Sequence, residues 1–136
     1  MIETLTIKLV HDSRPKDKQW QCTLEIPVDY SLEDLHYVIQ AVVNFDNDHL
    51  YEFRISKTHS SRNAEVIQCD EYKIETLTIA DIVVKMKGQK LFYMFDYGDN
   101  WLFQISKSRK KPFEPRPRAV YPRISHKVGR KPKQYS

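Results

Sequence analysis

The feature that most constrains this chain is a switch in hydrophobic period near Ser31. Upstream, "LTIKL" alternates Leu5, Ile7 and Leu9 with Thr6 and Lys8, and "WQCTLEI" alternates Trp20, Cys22, Leu24 and Ile26 with Gln21, Thr23 and Glu25. A period of two puts successive side chains on opposite faces, so each segment predicts a strand with one apolar face and one face toward water. The polar stretch "HDSRPKDK" between them predicts a long hairpin loop. Downstream the period is that of a helix. Leu32, Leu35, Ile39 and Val42 share one side, with Glu33, Tyr37, Gln40 and Asn44 opposite. Ser31 and Asp34 supply a capping box for the first turn, the aspartate standing in for the usual glutamate.

Further along, "HLYEFRI" predicts a strand with His49, Tyr51, Phe53 and Ile55 on one face. Residues 57–72 form a polar excursion, and "TIADIVV" predicts a short helix. "KLFYMFDY" and "WLFQISK" are the arms of a hairpin closed by "GDN". Gly98 is expected to supply a positive φ there, Asp99 and Asn100 to bond their own backbone, and Trp101 to enter the core with Phe103 and Ile105. Turn chemistry leaves Asp96 over: placed on the strand face of Phe92 and Met94, its carboxylate needs a partner. The fold class expected is α+β in a single domain. A ubiquitin-like β-grasp sheet is favoured, with a plain α/β sandwich as the alternative.

The net charge of +4 conceals an asymmetry. From Lys107 onward there are eleven Lys/Arg and one acid, Glu114, a net of +10. Residues 1–106 hold the other eleven basic and seventeen acidic groups, a net of −6. Five of the seven prolines also fall after Lys107, spaced against any helix or central strand. The expected organisation is a domain over residues 1–106 and a basic, Pro-rich arm over 107–136, partly packed back through "AVYPRI". Lys107, Arg109, Lys110, Lys111, Arg116, Arg118, Arg123, Lys127, Arg130, Lys131 and Lys133 are the candidate nucleic-acid contacts. Cations neutralise phosphates and aromatic rings stack on unpaired bases, so Phe113, Tyr121 and Tyr135 among them point to single-stranded or flexible nucleic acid. The competing reading is a protein-interaction adaptor that docks its partner on an exposed sheet or helix face.

Other classes are disfavoured. The longest apolar run, "LFYMF", is far short of a membrane span. "MIETLTIKLV" lacks the basic start and apolar stretch of a signal peptide, and Cys22 and Cys69 have no CxxC spacing, so a cytoplasmic protein with reduced thiols is expected. With glycine only at 88, 98 and 129 there is no phosphate-binding loop or dinucleotide fingerprint, nor is there a GxSxG or HExxH motif. No cofactor is expected. The enzymatic alternative is a small metal-dependent hydrolase or nuclease built on His36, His49, Asp96 and Asp99, a donor set able to hold a divalent ion and activate water. Against it, His36 lies at the edge of the apolar helix face and His49 on a core-directed strand face, both usual places for structural histidines. No catalytic or metal residue is therefore assigned, and a non-enzymatic module is the leading reading.

Several of these residues carry a resemblance. Trp20, Leu35-His36, His49-Leu50-Tyr51-Glu52-Phe53 and Asp96-Tyr97-Gly98-Asp99-Asn100-Trp101 occur in the order typical of the plasmid pRiA4b ORF-3-like family, which includes passenger proteins of insertion elements. The resemblance extends through "YPRISHKVG". The sequence departs from the family pattern at Phe103, where many members have a histidine, and in lacking a Pro-Pro-Glu-Asp-Cys-Gly-Gly segment. The resemblance implies an α+β domain and a link to mobile DNA, and no established reaction.

Overall fold

Both alternating segments are strands in the structure, a computed structural model that describes residues 1–134. β1 (Ile2–Leu9) and β2 (Gln21–Pro27) pair antiparallel, with Leu5 opposite Leu24 and Ile7 opposite Cys22. The loop between them contains one 3-10 turn at Lys16–Lys18. The helix α1 (Leu32–Val43) starts on the expected capping box: Asp34 N donates to Ser31 Oγ (3.1 Å) and Ser31 N to Asp34 Oδ2 (2.9 Å). It ends at Asn44, which is left-handed at φ 59°. Next along the chain come β3 (Tyr51–Ser56), β4 (Glu65–Gln68), α2 (Lys73–Thr76), α3 (Ile79–Met86), β5 (Lys90–Phe95), β6 (Trp101–Lys107) and β7 (Arg123–Val128). A second capping box, Thr78 with Asp81, opens α3.

The strands make one sheet in the order β4-β3-β5-β6-β1-β2-β7, and every neighbouring pair is antiparallel. This is a mixed α/β single domain. The β-grasp expectation is not confirmed: that fold sets its first strand parallel to a later one, whereas β1 lies antiparallel between β2 and β6. One sheet face carries Leu5, Ile7, Leu24, Ile26, Phe53, Tyr93, Phe103 and Ile105 into a core shared with Leu32, Leu35 and Ile39 of α1 and Ile79 and Ile82 of α3. Each fully buried Leu, Ile or Phe there contributes about 2 kcal/mol of transfer free energy. On the other face, loops lie over Phe92: the His59 ring meets it edge-on at 6.2 Å, and the His11 ring meets His59 at 4.9 Å. Among the described residues no helix is long and apolar enough to cross a membrane.

Two strands lie where none was expected. β4 sits inside the polar excursion, its Ile67 buried opposite Phe53. β7 lies within the basic segment and pairs with Gln21–Glu25 of β2, with an irregularity at Thr23/Leu24. The boundary expected after residue 106 falls inside β6, because β6 ends opposite Leu5 and leaves Ile2–Thr4 of β1 to be paired by the basic segment itself. Ser108 N donates to Thr4 O (3.0 Å), and Ile2 and Phe113 exchange both backbone bonds (2.7 and 3.0 Å). The chain then crosses β1 and β2 to reach the sheet edge. Glu25, expected to face water, is buried beneath this crossing strap.

Candidate functional site

His36, a member of the hydrolase set, is 1% exposed and uses both ring nitrogens inside the protein. Nδ1 lies 2.6 Å from Tyr93 Oη and Nε2 lies 2.6 Å from Asn47 Oδ1. An amide oxygen only accepts, so Nε2 carries the proton and Nδ1 accepts from the tyrosine hydroxyl. That hydroxyl in turn accepts from Gln40 Nε2 (2.9 Å), and Gln40 Oε1 accepts from Asn47 N (2.9 Å). Every member of the ring of four is satisfied. Gln40 therefore leaves the water-facing side of the helix to which its period assigned it. Burial lowers the imidazole pKa from 6.5 to about 4, offset in part by the Asn47 bond, and burial likewise pushes the Tyr93 and Tyr51 hydroxyls up. His36 is a neutral core histidine, engaged on both sides.

The "FDYGDNW" hairpin is a corner built by Asp96. β5 stops at Phe95, and Asp96 takes a left-handed φ of 63° instead of continuing beside Phe92 and Met94. Its Oδ1 accepts from Gly98 N (3.1 Å) and Asp99 N (3.4 Å), and its own N donates to Leu50 O (2.9 Å). Gly98 does not have the positive φ expected of it; Asp96 and Asn100 (φ 57°) carry the left-handed turns. Trp101 is half-buried and packs on Phe45 at 5.1 Å between centroids, with Phe103 and Ile105 inside it.

His49 precedes β3 and is largely exposed, so it is not on the core-directed face of Tyr51 and Phe53. Its Nε2 lies 3.4 Å from Asp96 Oδ2 and 3.7 Å from Asp48 Oδ1. The structure thus brings His49 and Asp96 together and leaves His36 apart in its own network, with Asp99 exposed in the turn. Among the described residues no three His, Cys, Asp or Glu side chains are grouped to hold a metal ion. The Cys22 thiol is buried, and burial raises its pKa to about 11.

The basic segment divides into two sets of cations. Lys107 Nζ approaches buried Glu3 (4.0 Å), while Lys110, Arg116 and Arg123 surround the Glu25 carboxylate at 3.9, 3.6 and 3.3 Å. Phe113 is flanked by the Lys110 ammonium (4.4 Å) and the Arg116 guanidinium (4.5 Å), with Tyr121 edge-on at 6.4 Å. Two of the aromatics expected to stack bases are thus used in the strap's own packing; Tyr135 lies outside the described residues. Arg109, Lys111, Arg118, Lys127, Arg130, Lys131 and Lys133 are exposed, and among the described residues none has an ion-pair partner.

Beyond β7 the chain is fastened twice. Arg14, held by Asp12 through Nε (2.8 Å) and Nη2 (2.7 Å), donates from Nη1 to Arg130 O (3.0 Å), and the Arg14 guanidinium holds the Asp12 pKa far below the carboxylate range. Gln134 then accepts from Asp46 N (2.6 Å) and donates to Asp48 Oδ1 (2.7 Å). Lys131 and Lys133 line a cleft of about 360 Å³ with Val43, Asn44 and Asp46. Gln134, Gln40, Asn47, Glu3 and Glu25 all escaped the sequence reading. Only for Glu3 and Glu25 was there a signal, each a lone acid in a strand of a chain whose other end is rich in cations.

The sequence profile of plasmid pRiA4b ORF-3-like proteins matches residues 4–134. The chain is similar to the uncharacterized protein y4hQ of Sinorhizobium fredii, at 28% identity over 87 residues. That region is 64% of this chain and 45% of the relative, so the match covers less than half of the relative's length. The crystal structure of a protein of unknown function from Methanosarcina mazei Go1 is similar with a TM-score of 0.73 at 20% identity. The similarity covers 93% of this chain and 68% of that one, and it shows a shared fold.

Proposed function

This chain belongs to the plasmid pRiA4b ORF-3-like family, and from that membership we propose that it is a non-enzymatic binding module of mobile DNA that contacts nucleic-acid phosphates through its basic C-terminal segment. The observation that carries the reading is the set of seven exposed cations, Arg109, Lys111, Arg118, Lys127, Arg130, Lys131 and Lys133, without ion-pair partners among the described residues. Cations on a segment fastened to the sheet, and without an ion-pair partner among the described residues, neutralise phosphates at little ordering cost. With Phe113 and Tyr121 engaged in the strap, contact is to the backbone more than to base faces, so single and double strands are both bound. The hydrolase alternative keeps only His49 beside Asp96, since His36 has no nitrogen to offer a metal or a substrate.

Fluorescence anisotropy with labelled oligonucleotides across a salt series tests this reading. If four or five of the seven cations meet phosphates, the slope of log K against log salt is about −3 for single strands and about −4 for duplex. Replacing Arg118, Arg130, Lys131 and Lys133 by glutamine removes most of the binding. Truncation after Ser106 is unsuitable because it also deletes β7. A protein that ignores both kinds of oligonucleotide at low salt overturns the reading in favour of a protein-interaction adaptor.

A further inference from the structure

The Glu25 cluster has more positive charge than its carboxylate balances. Three cations, Lys110, Arg116 and Arg123, converge on one carboxylate, leaving two charges in excess at a single point of the strap. Glu25 is 4% exposed in its side chain, while the three cations are 44, 49 and 42% exposed, so the acid lies beneath and the cations face outward. None of the three contacts is a hydrogen bond: they span 3.3–3.9 Å, and Glu25 Oε1 has no hydrogen-bond partner although Arg123 Nε is 3.3 Å away. The Arg14–Asp12 pair, by contrast, is locked at 2.7 and 2.8 Å. Thr4 Oγ1, on the residue directly opposite Glu25, is also buried without a partner. Attraction to Glu25, and for Lys110 and Arg116 the Phe113 ring beside them, holds the cations in place, and their half-exposed heads can turn toward solvent without disturbing the strap's backbone bonds to β1.

We infer that Lys110, Arg116 and Arg123 form a phosphate-binding site whose resident anion is the protein's own Glu25, exchanged for a phosphodiester when nucleic acid binds. The inference rests on the nucleic-acid reading and adds an internal competitor to it. Exchange leaves a buried carboxylate short of partners, a costly state, so Glu25 weakens the binding it regulates.

The test is Glu25→Gln, which keeps the shape of the side chain and removes its charge. At equal ionic strength this variant binds a single-stranded oligonucleotide roughly tenfold more tightly than the parent, close to the lower end of the coupling measured for close charge pairs. Its log–log salt slope is that of the parent, since the three cations meet the same phosphates in both complexes. Adding Lys110→Gln, Arg116→Gln and Arg123→Gln abolishes the gain. Glu25→Asp, which withdraws the charge by one methylene, gives a smaller gain and serves if Glu25→Gln does not fold. An affinity unchanged or lowered in both variants overturns the site. Inorganic tripolyphosphate separates this result from failure of the nucleic-acid reading. If no form binds oligonucleotides but Glu25→Gln takes up tripolyphosphate more tightly than the parent, the nucleic-acid reading falls and the site stands. If tripolyphosphate shows no gain either, the site falls as well.

Discussion

The imidazole of His36 lies flat on the ring of Tyr51, 3.6 Å between centroids and 5° from parallel. Stacking covers one face of the imidazole while Tyr93 and Asn47 take its two nitrogens, so neither a proton nor water has a free approach. The folded pKa is lowered to about 4 from 6.5, which means the unfolded chain binds the proton more readily. The stability contributed by neutral His36 is therefore complete above pH 6.5 and is lost as pH falls toward 4, by up to about 3 kcal/mol. Urea melts between pH 7.5 and 4 are expected to show this decline. In His36→Phe the decline over that window disappears, while stability at pH 7.5 is lower by about 1–3 kcal/mol because Tyr93 and Asn47 lose their partner. An unchanged pH profile in the variant would assign the acid sensitivity elsewhere.

Gly129 is the glycine this fold most needs. Its φ is +76°, and a Cβ there would meet Lys18 O at 2.5 Å and Gln19 C and O at 2.8 Å, all backbone atoms of the β1–β2 loop. Gly88 has a similar φ of +84° with nothing within 4 Å of the added carbon. Gly88→Ala is expected to cost about 1 kcal/mol from backbone strain alone. Gly129→Ala is expected to cost about 2 kcal/mol or more, since backbone must also move. Gly98→Ala, where φ is not left-handed and the nearest atom is Asp96 Oδ1 at 3.4 Å, is expected within about 0.5 kcal/mol of the parent. Thermal melts of the three variants check the order, and equal effects at 88 and 129 would remove the close approach from the account.

Asp96 closes its turn with one carboxylate oxygen and a left-handed backbone, and asparagine provides both an acceptor oxygen and tolerance of that conformation. Asp96→Asn should therefore stay within about 1 kcal/mol of the parent, whereas Asp96→Ala should lose about 1–2 kcal/mol through strain and two unpaired amides. Denaturant midpoints distinguish the two. Similar losses for both would show that the charge beside His49, 3.4 Å away, matters more than the turn.

How far the sequence could be read depends on the range of the interactions. β1, β2, β3, β5, β6, α1 and α3 each announce themselves through a local hydrophobic period, and the Ser31–Asp34 box lies within four residues. β4 has only Val66 and Ile67 as apolar residues, too few to establish a period. β7, "RISHKV", has only Ile124 and Val128, both half-buried, and it exists because β2 offers an open edge. The buried network joins His36 to Tyr93 across 57 positions, so its completeness depends on register in a sheet not yet assembled. Glu25 was misplaced for the same reason: alternation assigns a face, and the strap that later covers that face is more than eighty residues away.

The placement of β1 in the interior of the sheet, between β2 and β6, also has a meaning in time. β1 ends at Leu9 and the strand that flanks it begins at Trp101, so roughly ninety residues must be made before that flank is closed. At a synthesis rate of about 5–20 residues per second, the β1–β2 hairpin spends on the order of 5–20 s with a bare edge. Lys8 on that strand, and the lysines and arginine of the adjoining loop, keep the waiting hairpin charged near its open side. The nascent chain is thus most vulnerable to mispairing before its C-terminal third emerges, and a ribosome that stalls there leaves the sheet in two halves.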